Sequence, residues 1–137
     1  MSLFPEIDNK QTSRNVRLFF ENDVPKLEQT AGTFLKTVRL SSQPSGDNNI
    51  NSTLENITRQ VWARDQLDKV MQAFSGMDEE LANLIQWRYF DHSQWWVVAD
   101  KLNCSERLAQ KKLHTAFIAF AYGYHGEAQL LVELNGA

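Results

Sequence analysis

Only two residues, Asn103 and Cys104, stand between SQWWVVADKL and SERLAQKKLHTAFIAFAY, two segments whose apolar periodicity predicts helices. So short a connection has to turn tightly, and it joins the pair as a helix-turn-helix. Asn103 falls at the turn position that needs a residue tolerant of positive φ. Glycine is the usual residue there and asparagine the usual substitute. Ala99 is small enough to let the following helix cross closely, and Val98, Leu102 and Cys104 form the apolar underside of the turn. A further helix, DEELANLIQWRYF, precedes the pair. Asp78, Ser93 and Ser105 each stand just ahead of an apolar repeat, as caps able to accept an orphan backbone N–H. Glu79, Glu80 and Glu106 add negative charge to opening turns, where the helix dipole favours it.

In the last of these helices Ala109, Leu113, Ala116, Phe117 and Phe120 recur at helical spacing and predict one buried face. The opposite face of its first two turns carries Glu106, Arg107, Gln110, Lys111 and His114. A recognition helix presents polar side chains to base edges and phosphates in this way. Arg107, Gln110 and Lys111 are the residues expected to contact bases or phosphates. Lys112 and Lys101 are phosphate candidates, and Ser105 combines capping with a phosphate contact at the helix N-terminus. Three short amphipathic helices also occur in cores that bind nothing, with a polar outer face that is ordinary solvation.

The string LIQWRYF, followed by SQWWVVADKLNCSERLAQKKLHTAFIAFA, resembles region four of bacterial sigma factors and their relatives, in which an RYF helix leads into a serine-started helix-turn-helix. The opening MSLFPEIDNKQTSRNVRLFF, with KLEQTAG and the ending FAYGYHGEAQLLVEL, is similar to the ArpU family. The resemblance runs over both ends and the core and is weakest over residues 41–52. It implies an all-α fold, a sigma region-four-like helix-turn-helix bundle with an N-terminal helical arm. It also implies a phage- or prophage-encoded transcriptional regulator acting on late phage or prophage genes.

Charge is the main objection to a nucleic-acid partner. The net charge is −3, whereas duplex-binding modules are commonly basic. The imbalance is uneven, however. Over residues 88–124 the cations Arg88, Lys101, Arg107, Lys111 and Lys112 face only Asp91, Asp100 and Glu106. A mildly basic module on an acidic chain binds DNA weakly by itself and depends on pairing or on a partner. Eight Phe, four Trp and three Tyr give the 137-residue chain enough apolar bulk for a core. A single cysteine, Cys104, excludes an internal disulfide and a cysteine-based zinc cluster. There is no signal-peptide pattern and no apolar run of membrane-spanning length, so the expected location is the cytoplasm.

Three sections are expected: a helical arm over residues 1–40, a flexible linker over 41–52, and a helical DNA-binding domain over 53–137. Asp8 or Thr12 caps a first helix carrying Val16, Phe19 and Phe20, and Pro25 interrupts it. A second piece ends at Gly32. Phe34, Leu35, Val38 and Leu40 follow as a short strand or an irregular apolar segment. SSQPSGDNNINS, at residues 41–52, has linker composition. A long helix then opens at Ser52 or Thr53. Leu54, Ile57 and Val61 form its first apolar stripe, continued by Leu67, Val70, Met71 and Phe74, with Trp62 packed beside it. Gly76 ends it. Residues 128–134 form either a final helix or an extended segment.

His92, His114 and His125 lack metal spacing, no phosphate-cradling glycine loop or nucleophile elbow is present, and adjacent Glu79 and Glu80 point apart by about 100°. No cofactor, metal or catalytic residue is therefore expected. Trp95 and Trp96 cannot both face the core. Trp96, three residues before Ala99, is expected near the helix crossing, and Trp95 at an outer contact with protein or DNA. The expected partners are double-stranded DNA, RNA polymerase and, because residues 116–122 are apolar nearly all round, a second copy of the chain in a homodimer. Two other readings compete. One is a terminase small-subunit-like protein that recognises DNA for packaging. The other is a module that binds RNA polymerase or a sigma factor without touching DNA.

Overall fold

The computed structural model describes residues 6–32 and 54–134. The expected linker over 41–52, the apolar segment around Phe34–Leu40 and the caps at Ser52 and Thr53 lie outside them. The described residues form an all-α fold: α1 (Asn9–Leu18), a π-helical turn (Phe19–Asp23), α2 (Val24–Ala31), α3 (Leu54–Ser75), α4 (Glu79–Tyr89), α5 (Trp95–Leu102) and α6 (Glu106–Gly123).

The first helix starts where its cap predicts, since Asp8 Oδ1 accepts from the Gln11 N–H at 3.0 Å. Pro25 does not interrupt it. A proline ring clashes with the carbonyl four residues back, and here the chain widens into the π turn just ahead, with the Val24 N–H reaching Phe19 O. The path stays helical, and α2 resumes with Pro25 in its first turn, where no donor is needed. Gly32 then ends α2 in the left-handed region at φ 71°. The Ala31 carbonyl is taken by two donors from α3, Gln60 Nε2 at 3.2 Å and Arg64 Nε at 3.3 Å.

The expected N-terminal arm is built into the same core as the remaining helices. α2 packs along α3, and α1 and α4 flank α6. Phe19 and Phe20 are almost completely buried. The Phe20 ring centroid lies 4.8 Å from Phe120, 5.9 Å from Phe74 and 5.7 Å from Tyr89. The Phe19 centroid lies 5.1 Å from Tyr124. The π turn thus delivers both rings to one aromatic cluster. Burying such a ring stabilises by about 1.5–3 kcal/mol.

Two expected packing registers are corrected. In α3 the buried face is Ala63, Gln66, Leu67, Val70, Ala73 and Phe74, whereas Leu54, Ile57 and Val61 are exposed, Leu54 at 80%. Positions 61 and 67 are separated by about 240° of helical rotation, so the two stripes never shared a face. Trp62 is likewise exposed. In α5 Val98 and Ala99 are buried, Trp95, Val97 and Leu102 are half-buried, and Trp96 is 63% exposed. The 95–98–99–102 spacing places Trp95 inside and turns Trp96 out, the reverse of the expectation.

The tail is extended. Asp8 N donates to Val132 O at 2.8 Å and Leu134 N to Glu6 O at 2.9 Å. Val132 N donates to the buried Thr12 Oγ1 at 3.0 Å, and Asn15 Nδ2 to Leu130 O at 3.3 Å. The segment is thereby clamped across the start of α1, with Leu130 buried.

Candidate nucleic-acid interface

The turn between α5 and α6 has the backbone its sequence requires. Asn103 adopts φ 55° and ψ 48°. Its N–H reaches Asp100 O at 3.1 Å, and the Cys104 N–H reaches Ala99 O at 3.0 Å. These bonds across a left-handed residue occupy the last carbonyls of α5, as in a Schellman motif. Ser105 then caps α6 directly, its Oγ accepting from the Leu108 N–H at 3.1 Å. Val98 and Ala99 are buried beneath the turn, and Leu102 and Cys104 are partly covered.

The other two expected caps differ. Asp78 occupies the N-cap of α4 without a side-chain bond. The N-cap of α5 is Gln94, not Ser93. Ser93 is committed to the preceding turn, its N–H donating to Trp87 O at 2.8 Å and its carbonyl accepting from Arg88 Nη1 at 2.7 Å. Arg88 also lies 4.4 Å above the Trp95 ring. Its guanidinium therefore fastens α4 to α5 and is not presented outward as a free cation. Gln94 Oε1 accepts from Trp96 Nε1 at 2.7 Å, holding the exposed indole at the mouth of α5.

Along α6 the expected apolar face, Ala109, Leu113, Ala116, Phe117 and Phe120, is buried throughout. Arg107, Gln110, Lys111 and His114 are all exposed on the other side, and Ser105 is exposed at its N-terminal end. These side chains share one outward face because they lie at spacings of three and four. They combine a fork-shaped cation, an amide and a point charge, the groups that pair with guanine, adenine and phosphate respectively.

Lys101 and Lys112 belong to a different surface. Lys112 Nζ lies 2.7 Å from Glu80 Oε1, across from α6 to α4. The bond to Glu80 holds the Lys112 ammonium above its ordinary pKa. Lys101 Nζ sits 4.8 Å over the Trp87 ring. Together with Glu79, Asn83 and Leu102 these residues line a shallow depression in which the two cations meet two carboxylates. Lys112 therefore presents a paired charge, and Lys101 a stacked one.

Sequence reading missed a second basic element. Lys10, Arg14 and Arg17 lie on one side of α1, and with His114 of α6 they line a shared groove. Their spacing of four and three was the available signal, but α1 is far from α6 along the chain. His114 belongs to both the groove and the outward face of α6.

Among the described residues no group of His, Cys, Asp and Glu is placed to hold a metal ion. None of the described helices is long and apolar enough to cross a membrane. No protein family, curated protein or solved structure matches the chain.

Proposed function

We propose that this chain is a sequence-specific double-stranded DNA-binding transcriptional regulator of phage or prophage origin, with α6 as its reading helix. The observation that carries the proposal is the α5–Asn103–α6 unit. A tight left-handed turn sets a capped helix against the core, and the outward Arg107, Gln110 and Lys111 are left uncommitted to helix packing. The resemblance to sigma region four and to the ArpU family supports the same reading.

In this account α6 enters the major groove by its first turns. Arg107 meets guanine, Gln110 meets adenine, and Lys111 serves a guanine or a phosphate. Ser105 sits where the helix dipole and free N–H groups favour a backbone phosphate. Its hydroxyl oxygen already accepts from Leu108 N, and its own proton stays available for donation.

A genomic footprint of the full chain tests the proposal. Discrete sites upstream of transcription starts are the expected result. Occupancy confined to a packaging site would replace regulation with a packaging role. Occupancy that vanishes when RNA polymerase is removed would reassign the outward face to protein contact.

A further inference from the structure

We infer that α1 is a second DNA-contacting element, with Lys10, Arg14 and Arg17 holding the phosphate backbone beside the groove that α6 reads; the inference rests on the DNA-binding reading proposed above. Helix α1 is set against α6 by the core, through the buried faces that carry Val16 and Thr12 on one and Ala116 and Phe120 on the other. That packing turns Lys10, Arg14 and Arg17 into a groove whose α6 wall is His114. His114 follows Gln110 and Lys111 by one helical turn, so the strip continues the reading face and does not sit behind it.

The three cations are available. All are exposed, and none makes a side-chain hydrogen bond or ion pair with another described residue. Among the described residues that line the groove Asp8 is the one carboxylate, and it accepts from the Gln11 N–H as the cap of α1. Of the two uncharged polar residues on the α1 side of the groove, Gln11 donates to Asn15 Oδ1 at 3.1 Å and Ser13 is half-buried. A row of three positive charges along about two helical turns, with the Asp8 carboxylate at its start, suits a polyanion of regular charge spacing, and duplex DNA carries one charge per about 1.7 Å of axis. The arrangement also answers the objection from net charge. The chain is acidic as a whole, but the face formed by α1 and α6 is basic.

The contact should be independent of sequence. Phosphate contacts fix register and orientation and carry no base information. The test uses the full chain and its Lys10→Gln/Arg14→Gln/Arg17→Gln variant, titrated over a salt series against a preferred duplex, taken from footprinting or selection, and a scrambled one. The expected result is weaker binding to both duplexes by the same factor. The log–log salt dependence should flatten by about 0.9 for each phosphate that is no longer neutralised, roughly 2.7 for the triple variant. Single Arg14→Gln and Arg17→Gln variants, each checked for the parent's thermal transition, should each flatten the slope by about 0.9.

A triple variant with the parent's affinity and slope, while Gln110→Ala still changes base preference, would overturn this inference and leave the reading helix standing. Weakening confined to the preferred duplex would also overturn it, because the strip would then be reading bases. A parent chain that binds neither duplex would remove the DNA-binding reading and this inference together.

Discussion

The Lys112 ammonium meets the Glu80 carboxylate at 2.7 Å and ties the second turn of α6 to the start of α4. The pair changes what Lys112 can do. An ammonium already neutralised by a carboxylate releases few counterions from a duplex. Lys112→Ala should therefore leave the salt dependence of DNA binding nearly as it is, whereas Arg14→Gln and Arg17→Gln should each flatten it. Parallel salt titrations of the three variants check the contrast. A Lys112→Ala slope flattened by about 0.9 would return this side chain to the interface.

Asn103 holds φ 55° between the two helices. For an L-residue with a Cβ the left-handed region costs about 1–2 kcal/mol, and asparagine is among the few that visit it routinely. Asn103→Gly should keep or slightly raise stability, and Asn103→Ala should lower it by about 1 kcal/mol. Urea unfolding of the two variants separates them, and equal midpoints would contradict the turn described.

Phe120 is the hub of the aromatic cluster. It is completely buried, with ring centroids at 4.8 Å from Phe20, 5.4 Å from Phe74 and 5.6 Å from Tyr124. These rings come from α6, the π turn, α3 and the residue that ends α6. Phe120→Ala should cost about 3–5 kcal/mol, and a cost below about 1 kcal/mol in chemical denaturation would mean that this cluster does not hold the N-terminal helices to the rest.

Alkaline pH should loosen the same cluster. Burial raises the Tyr89 hydroxyl above the ordinary tyrosine range, with Glu21 adding to the effect. Burial raises Tyr124 as well. Both groups favour the protonated form more strongly in the folded chain than in the unfolded one. Their contribution is therefore full below the ordinary tyrosine value of about 10 and is lost as pH climbs from there through the raised folded values. Phenolate absorbance of the native chain should lag behind that of the unfolded chain, and the melting temperature should fall above about pH 10. Coincident titration curves would contradict the burial of these hydroxyls.

Much of the α5–Asn103–α6 unit was legible because its constraints are local. Asn103 announces a left-handed turn, Ser105 announces a cap, and the 109–113–116–117–120 repeat declares which side of α6 is buried. Packing between distant elements was less legible. Leu54, Ile57 and Val61 look like a core stripe until their angular offset from Leu67 is followed along α3. Ser93 looks like a cap until Arg88 and Trp87 are seen to take its carbonyl and N–H. Pro25 reads as a stop because nothing local announces a π turn. The basic strip of α1 has a simple spacing, yet its relevance comes only from the packing that brings it beside His114. Lys101 and Lys112 carried the right charge, but charge alone does not reveal Trp87 and Glu80 as their neighbours.

The central claim, that α6 reads sequence in a major groove, is tested most directly by selecting preferred duplexes from a random pool with the parent chain and with Gln110→Ala. The account predicts a defined preferred site for the parent. For the variant it predicts the same site with discrimination relaxed at one base position, by about 1–3 kcal/mol there. Identical selected sites for both chains, or no enriched site for the parent, would contradict it.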